Sequence, residues 1–188
     1  FFVFFEIVLV PMYFLLGQWG HGARAYAATK FFVYTMFGSA FMLVGILATA
    51  FLTAAETGNA VSFDLVYLAE EQALATTTAR WIFLSFAVAF AVKVPLFPVH
   101  TWLPDAHTNA PTAGSVILAG VMLKLGTYGF LRFGIYLFPE ASVYFAPALV
   151  ALGTIGIIYG AIAATITGSH PARCSGSAVG FTSVSTPV

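Results

Sequence analysis

This sequence is short of charge. Only 7% of its 188 residues are Asp, Glu, Lys or Arg, where soluble domains carry about 25%. Hydrophobic residues make up 60%, so the solvent for most of the chain is lipid and a water-soluble globular domain is excluded. Cysteine occurs once, at Cys174, which excludes an intrachain disulfide framework and a Cys-rich metal site. The formal net charge is zero, so nothing points to a nucleic-acid partner. No Gly-rich dinucleotide motif lies on a βαβ unit. The chain is therefore expected to hold no flavin, iron–sulfur cluster, NADH or metal of its own. It also shows no initiator Met, no basic leading segment and no small-residue cleavage site, so no signal peptide is expected. The chain reads as a fragment that starts inside a membrane helix.

What is present divides into apolar spans. A bilayer-crossing helix needs ~20 predominantly apolar residues, and several runs approach or exceed that length. The sequence predicts an all-α, polytopic transmembrane bundle with about five spans: 1–16, 26–54, a broken segment over 80–107, 112–137 and 142–167. Pro11 is expected to kink the first span. Gly38, Ser39, Ala40 and Gly45 should let the second approach a neighbour closely. Residues 56–78 form the longest polar stretch, with Glu56, Asp64, Glu70 and Glu71 and no Lys or Arg. Basic connections stay on the cytoplasmic side. Arg24 and Lys30 therefore place residues 17–25 inside, alternation puts 100–108 on the same side, and 56–78 and Pro139 fall outside. His21, Arg24 and Lys30 are read as topology-setting, and Arg132 as a snorkelling residue. Residues 168–188 read as a divergent tail that includes the start of a further span.

Three ionisable residues fall well within spans: Glu6, Lys93 and Lys124. Each costs roughly 2.5–3.5 kcal/mol at a helix centre on insertion scales, and such residues usually face a bundle interior or a water-filled path. The bland alternative is a long lysine snorkelling to the interface. Lys124 lies about 18 Å into its span at ~1.5 Å per residue, where snorkelling is hard. Burial disfavours the charged form of a lysine and a nearby carboxylate restores it. A lysine whose carboxylate partner moves can therefore take up and release a proton. This is the chemistry of a proton relay, and Glu6 is the expected partner of Lys93.

Between the two lysines the chain reads VPLFPVHTWLPDAHTNAPT. Pro95 and Pro98 are expected to free carbonyls near Ala91 and Val94. Broken helices at membrane depth are tolerated where they are buried in protein or line a cavity; a plain kink is the alternative. His100, Asp105 and His107 do not share one face of a continuous helix, and no Cys supports a metal. His100 and His107 are read instead as a proton entry, because His titrates near neutral pH, with interfacial hydrogen bonding as the bland reading.

FAVKVPLFPVHTWLPDAH, APTAGSVILAGVMLKLGTYGFLRF, FFEIVLVPMYFL, RAYAATKFFVYTMFGSAFML and LFPEAS together resemble one family. It is the antiporter-like proton-translocating subunits of respiratory complex I, on the branch of subunit M of bacterial NADH–quinone oxidoreductase (subunit 4 in mitochondria). The resemblance covers residues 1–167 and implies fourteen transmembrane helices in the whole family member, five of them here. It further implies that Glu6 is the helix-five glutamate, Lys93 the helix-seven lysine beside the break and Lys124 the helix-eight connecting lysine. A further key charge lies on a helix beyond this chain. Implied partners are the other membrane subunits of complex I, the lipid bilayer and protons, with flavin, iron–sulfur clusters and quinone held by partner subunits. The implied location is a bacterial plasma membrane. Asn109 departs from the Glu common in relatives, and residues 168–178 interrupt the expected run. The rival readings are an Mrp-type cation/proton antiporter, a membrane hydrogenase subunit, and a scaffold without transport.

Overall fold

The computed structural model describes residues 1–71 and 74–167. Among them there is no strand, and the chain is a bundle of helices. Helix α1, Phe2–Trp19, is two pieces, Phe2–Ile7 and Leu9–Trp19, joined at Val8. Pro11 has no N–H to offer the carbonyl four residues earlier, and the break falls beside that carbonyl, at Ile7. Helix α2, Arg24–Thr57, runs 34 residues, about 50 Å at 1.5 Å per residue. That exceeds the ~30 Å hydrocarbon core, so its charged ends can lie outside the apolar layer. It stops at Gly58, whose φ of +69° makes a left-handed cap. Helix α3, Leu65–Glu71, is short; its Leu65 and Leu68 pack on the core.

Helix α4, Thr76–Lys93, ends at the proline break, and α5, Trp102–Asn109, resumes beyond it. Helix α6, Thr112–Ile135, contains two π-helical segments, Leu118–Met122 and Phe130–Ile135. Helix α7, Pro139–Thr167, is the last. By length and composition α1, α2, α6 and most of α7 can cross a membrane. Residues 168–188, where a further span is expected to start, lie outside the described residues.

The close approach expected of α2 occurs against α4. A Cβ on Gly38 would sit 3.0 Å from Val92 Cβ, and one on Gly45 would sit 3.0 Å from the Phe86 ring. Two apolar clusters result. One gathers Phe5, Met42, Phe83, Phe86, Phe90 and Phe138. The other gathers Leu9, Leu16, Phe31, Trp102, Leu118 and Met122. Helix α7 buries little of its surface. It is tied to α4 by a Phe83–Phe145 stack at 5.5 Å and by Arg80 lying 4.0 Å over the Tyr144 ring.

The break is better satisfied than the proline positions alone predict. The Ala91 carbonyl is not free: Leu96 N–H reaches it at 2.9 Å, one residue further along than an α-helix would use. That shift strips Val92 O of its usual partner, and the Trp102 indole N–H donates to it at 2.9 Å. Trp102 is 1% exposed, so one side chain both fills the core and closes the backbone. Trp102→Phe keeps most of the ring but orphans Val92 O. Losing such a bond costs about 1–2 kcal/mol. The expected result is a lower thermal midpoint for the detergent-solubilised full-length protein.

Candidate functional site

The seam between the two clusters holds the charge. Phe5 belongs to one cluster and Leu9 to the other, and Glu6 lies between them on α1. Phe90 and Trp102 divide in the same way, with Lys93 between them at the end of α4. Lys93 is 2% exposed. Its stem packs on α6, where a Cβ on Gly126 would come within 3.1 Å of Lys93 Cβ. A larger residue there would press on that stem. Glu6 is half-buried, with the Ser39 hydroxyl of α2 beside its carboxylate.

The structure brings Glu6 and Lys93 close enough for their charges to interact, but they do not form a contact ion pair. Glu6 Oε1 and Lys93 Nζ are both buried without a hydrogen-bond partner among the described residues. The ammonium instead lies 4.4 Å from the centroid of the Phe5 ring. A buried cation and a half-buried carboxylate thus stand near each other without contact.

Lys124 is not part of this pocket. It is exposed, although a mid-span lysine is expected to face inward. The reason is helical geometry. Gly126 and Gly129 are the residues of α6 that meet Lys93 and Phe90 of α4, and a residue two positions before Gly126 points roughly 200° away at ~100° per residue. Lys124 sits just after the first π-helical segment. Such bulges frequently occur at functional sites.

His100 is 7% exposed and sits against Phe97, centroids 5.6 Å apart, and against Tyr159 of α7 at 5.2 Å. Its Nδ1 is buried without a hydrogen bond among the described residues. His107 lies on α5, half-buried, and its carbonyl accepts a bond from Ser115 Oγ at 3.4 Å. Asp105 is taken by Lys30 of α2, Nζ to Oδ2 2.6 Å. Lys30 therefore does more than set topology: it clamps α5 to α2. His21 N–H donates to Asn109 O at 2.8 Å, which brings the connection before α2 and the end of α5 to one end of the bundle.

Three participants escape the sequence reading. Phe5 carries no mark that separates it from other phenylalanines. Trp102 carries a partial one, an indole donor within the stretch that follows the proline break, since a buried Trp N–H usually finds a partner; its acceptor, Val92 O, is ten residues earlier and is not one of the carbonyls the prolines mark. The Lys30–Asp105 pair spans 75 residues and has no local signal.

The chain matches the family described as NADH:quinone oxidoreductase/Mrp antiporter, TM, over residues 1–172. It is 51% identical over 168 residues to the NADH-quinone oxidoreductase subunit M of Pseudomonas aeruginosa, covering 86% of this chain and 33% of that protein. It is 53% identical over 165 residues to the NADH-ubiquinone oxidoreductase chain 4 of Arabidopsis thaliana, covering 85% and 31%. Among solved structures it resembles a chain of respiratory complex I from Thermus thermophilus with bound NADH, with a TM-score of 0.75 and 36% identity over 85% of this chain and 33% of that one. The chain thus spans about a third of the length of the curated relatives it matches.

Proposed function

The chain belongs to the NADH:quinone oxidoreductase/Mrp antiporter transmembrane family, and from that premise we propose that it is part of a proton-translocating membrane subunit of a respiratory NADH:quinone oxidoreductase. The observation that carries this reading is the buried, separated pair of Glu6 and Lys93 at the seam of two apolar clusters. Ionisable residues at such depth are expensive and mark ion pathways. A lysine there does work only if its charge can change.

The steps follow from the geometry. While Lys93 is protonated, Glu6 balances its charge. When the pair opens, the ammonium loses its counter-charge in an apolar pocket, and the charged form becomes the unfavourable one. Lys93 Nζ then gives up one proton and becomes a neutral amine; the proton passes toward Lys124 on α6. When the pair closes, the amine takes up a proton from the side of His100 and His107. The redox reaction that drives the opening takes place in partner subunits, which hold the flavin, iron–sulfur clusters and quinone. Its energy arrives through neighbouring membrane subunits as displacement or charge. The proposed setting is a bacterial plasma membrane.

The Mrp-type antiporter reading draws on the same family description. The names of the roughly 50%-identical relatives favour the oxidoreductase. Affinity purification of the full-length protein from its native membrane separates the two. Co-purification with NADH-oxidising subunits is expected. Recovery in a complex that exchanges Na⁺ for H⁺ without oxidising NADH overturns the assignment.

A further inference from the structure

We propose that Phe5 is a positioning residue of the relay: its ring face is a second seat for the Lys93 ammonium, used when the lysine is parted from Glu6. This rests on the relay reading above and adds to it a residue that carries no charge.

Lys93 Nζ lies 4.4 Å from the Phe5 centroid, inside the ~6 Å range over which a cation is drawn to an aromatic face. Both groups are 2% exposed, and the attraction is strongest where water is excluded. Nζ makes no hydrogen bond among the described residues, so the ring is the polar surface on which the charge rests. Phe5 is itself held, with Phe1 at 5.4 Å and Phe90 edge-on at 6.3 Å. These neighbours pack the Phe5 ring on two sides.

Phe5 and Glu6 are consecutive residues on one helix turn. The ammonium can therefore pass from carboxylate to ring by rotation of its own side chain, with α1 and α4 in place. The two seats differ in kind. The carboxylate binds the proton-bearing nitrogen directionally and strongly. The ring holds it without claiming a hydrogen, so all three N–H groups stay available to an acceptor. A leucine at position 5 would fill similar space and offer neither.

The test uses the full-length protein in its assembled complex, in sealed vesicles, with protons translocated per electron as the readout. Phe5 is replaced by mono-, di- and trifluorophenylalanine, which keep the ring's shape and progressively weaken its negative face. Pumping should fall stepwise with fluorine number, to about half or less with three fluorines, if the ring's electrostatics carry the effect. NADH oxidation by the same preparations reports assembly. Unchanged pumping across the series, with Lys93→Ala inactive, overturns the role of Phe5 and leaves the relay standing. Normal pumping by Lys93→Ala overturns the relay and the role of Phe5 with it.

Discussion

Lys93→Ala, placed in the full-length protein within its assembled complex, is expected to cut proton flow through this subunit by about a hundredfold, the low end of what removing a proton-transferring group costs. NADH oxidation should persist, because no step of it is assigned to this pocket. The argument is one of charge. Alanine leaves Glu6 with no cation to balance it and removes the amine at the site that could take up and release a proton. Glu6→Gln makes the mirror-image defect. The amide oxygen can still accept from the Ser39 hydroxyl but cannot balance an ammonium, so the lysine loses the reason to recharge once it has let its proton go. Both variants should assemble, since among the described residues Lys93 Nζ and Glu6 Oε1 make no hydrogen bond whose loss would weaken the fold. Protons translocated per electron in sealed vesicles read the effect.

Gly129→Leu is expected to have the second-largest effect, on stability. A Cβ at this position would lie 2.4 Å from Phe90 Cε1, 2.8 Å from Cζ and 3.1 Å from the Phe1 ring. Phe90 is fully buried, stacked 6.2 Å from Phe86 and edge-on to Phe5 and Phe130. It cannot yield without moving the aromatic cluster that holds α4, and Lys93 lies three residues further along the same helix. Overpacking of this kind typically costs about 1–3 kcal/mol, and a branched side chain at a helix crossing built on glycine belongs at the upper end. The yield of assembled complex and its thermal midpoint in detergent should both fall. Gly129→Ala should fall between the two.

The sequence made the charges legible because lipid makes them conspicuous. Glu6, Lys93 and Lys124 each interrupt an apolar run, and the proline pair announces a break. The helical, membrane-spanning class follows from the same scarcity of charge. What periodicity could not supply is direction around the helix axis. Lys124 has the depth expected of a relay residue, yet Gly126 and Gly129 turn it away from Lys93. The two π-helical segments of α6 change the phase of that helix without a proline to signal them. Phe5 is one of 20 phenylalanines, and only the fold shows which of them lies beneath an ammonium. Lys30 reads locally as a topology signal; its partner Asp105 is 75 residues away.

These limits have a common cause. One-dimensional patterns report the cost of placing a group in lipid. They do not report which neighbour lowers that cost. For Trp102 the donor and the proline break are both visible in the chain, but the carbonyl it reaches, Val92 O, is freed by a shift of the Leu96 bond that only the fold shows. For Lys93 cost and neighbour coincide only in part: Glu6 is expected as its partner because charge is rare in the spans, whereas the ring beneath it comes from α1, more than eighty residues earlier, and carries no such mark.

Lys93→Arg puts the central claim to its most direct test. A guanidinium keeps the positive charge and the attraction to Glu6 and Phe5, but it does not release its proton in proteins. If Lys93 carries protons, the arginine variant in sealed vesicles should oxidise NADH and translocate as few protons per electron as Lys93→Ala. If Lys93 merely supplies a fixed charge, the arginine variant should pump at close to the wild-type ratio, and that result would contradict the account.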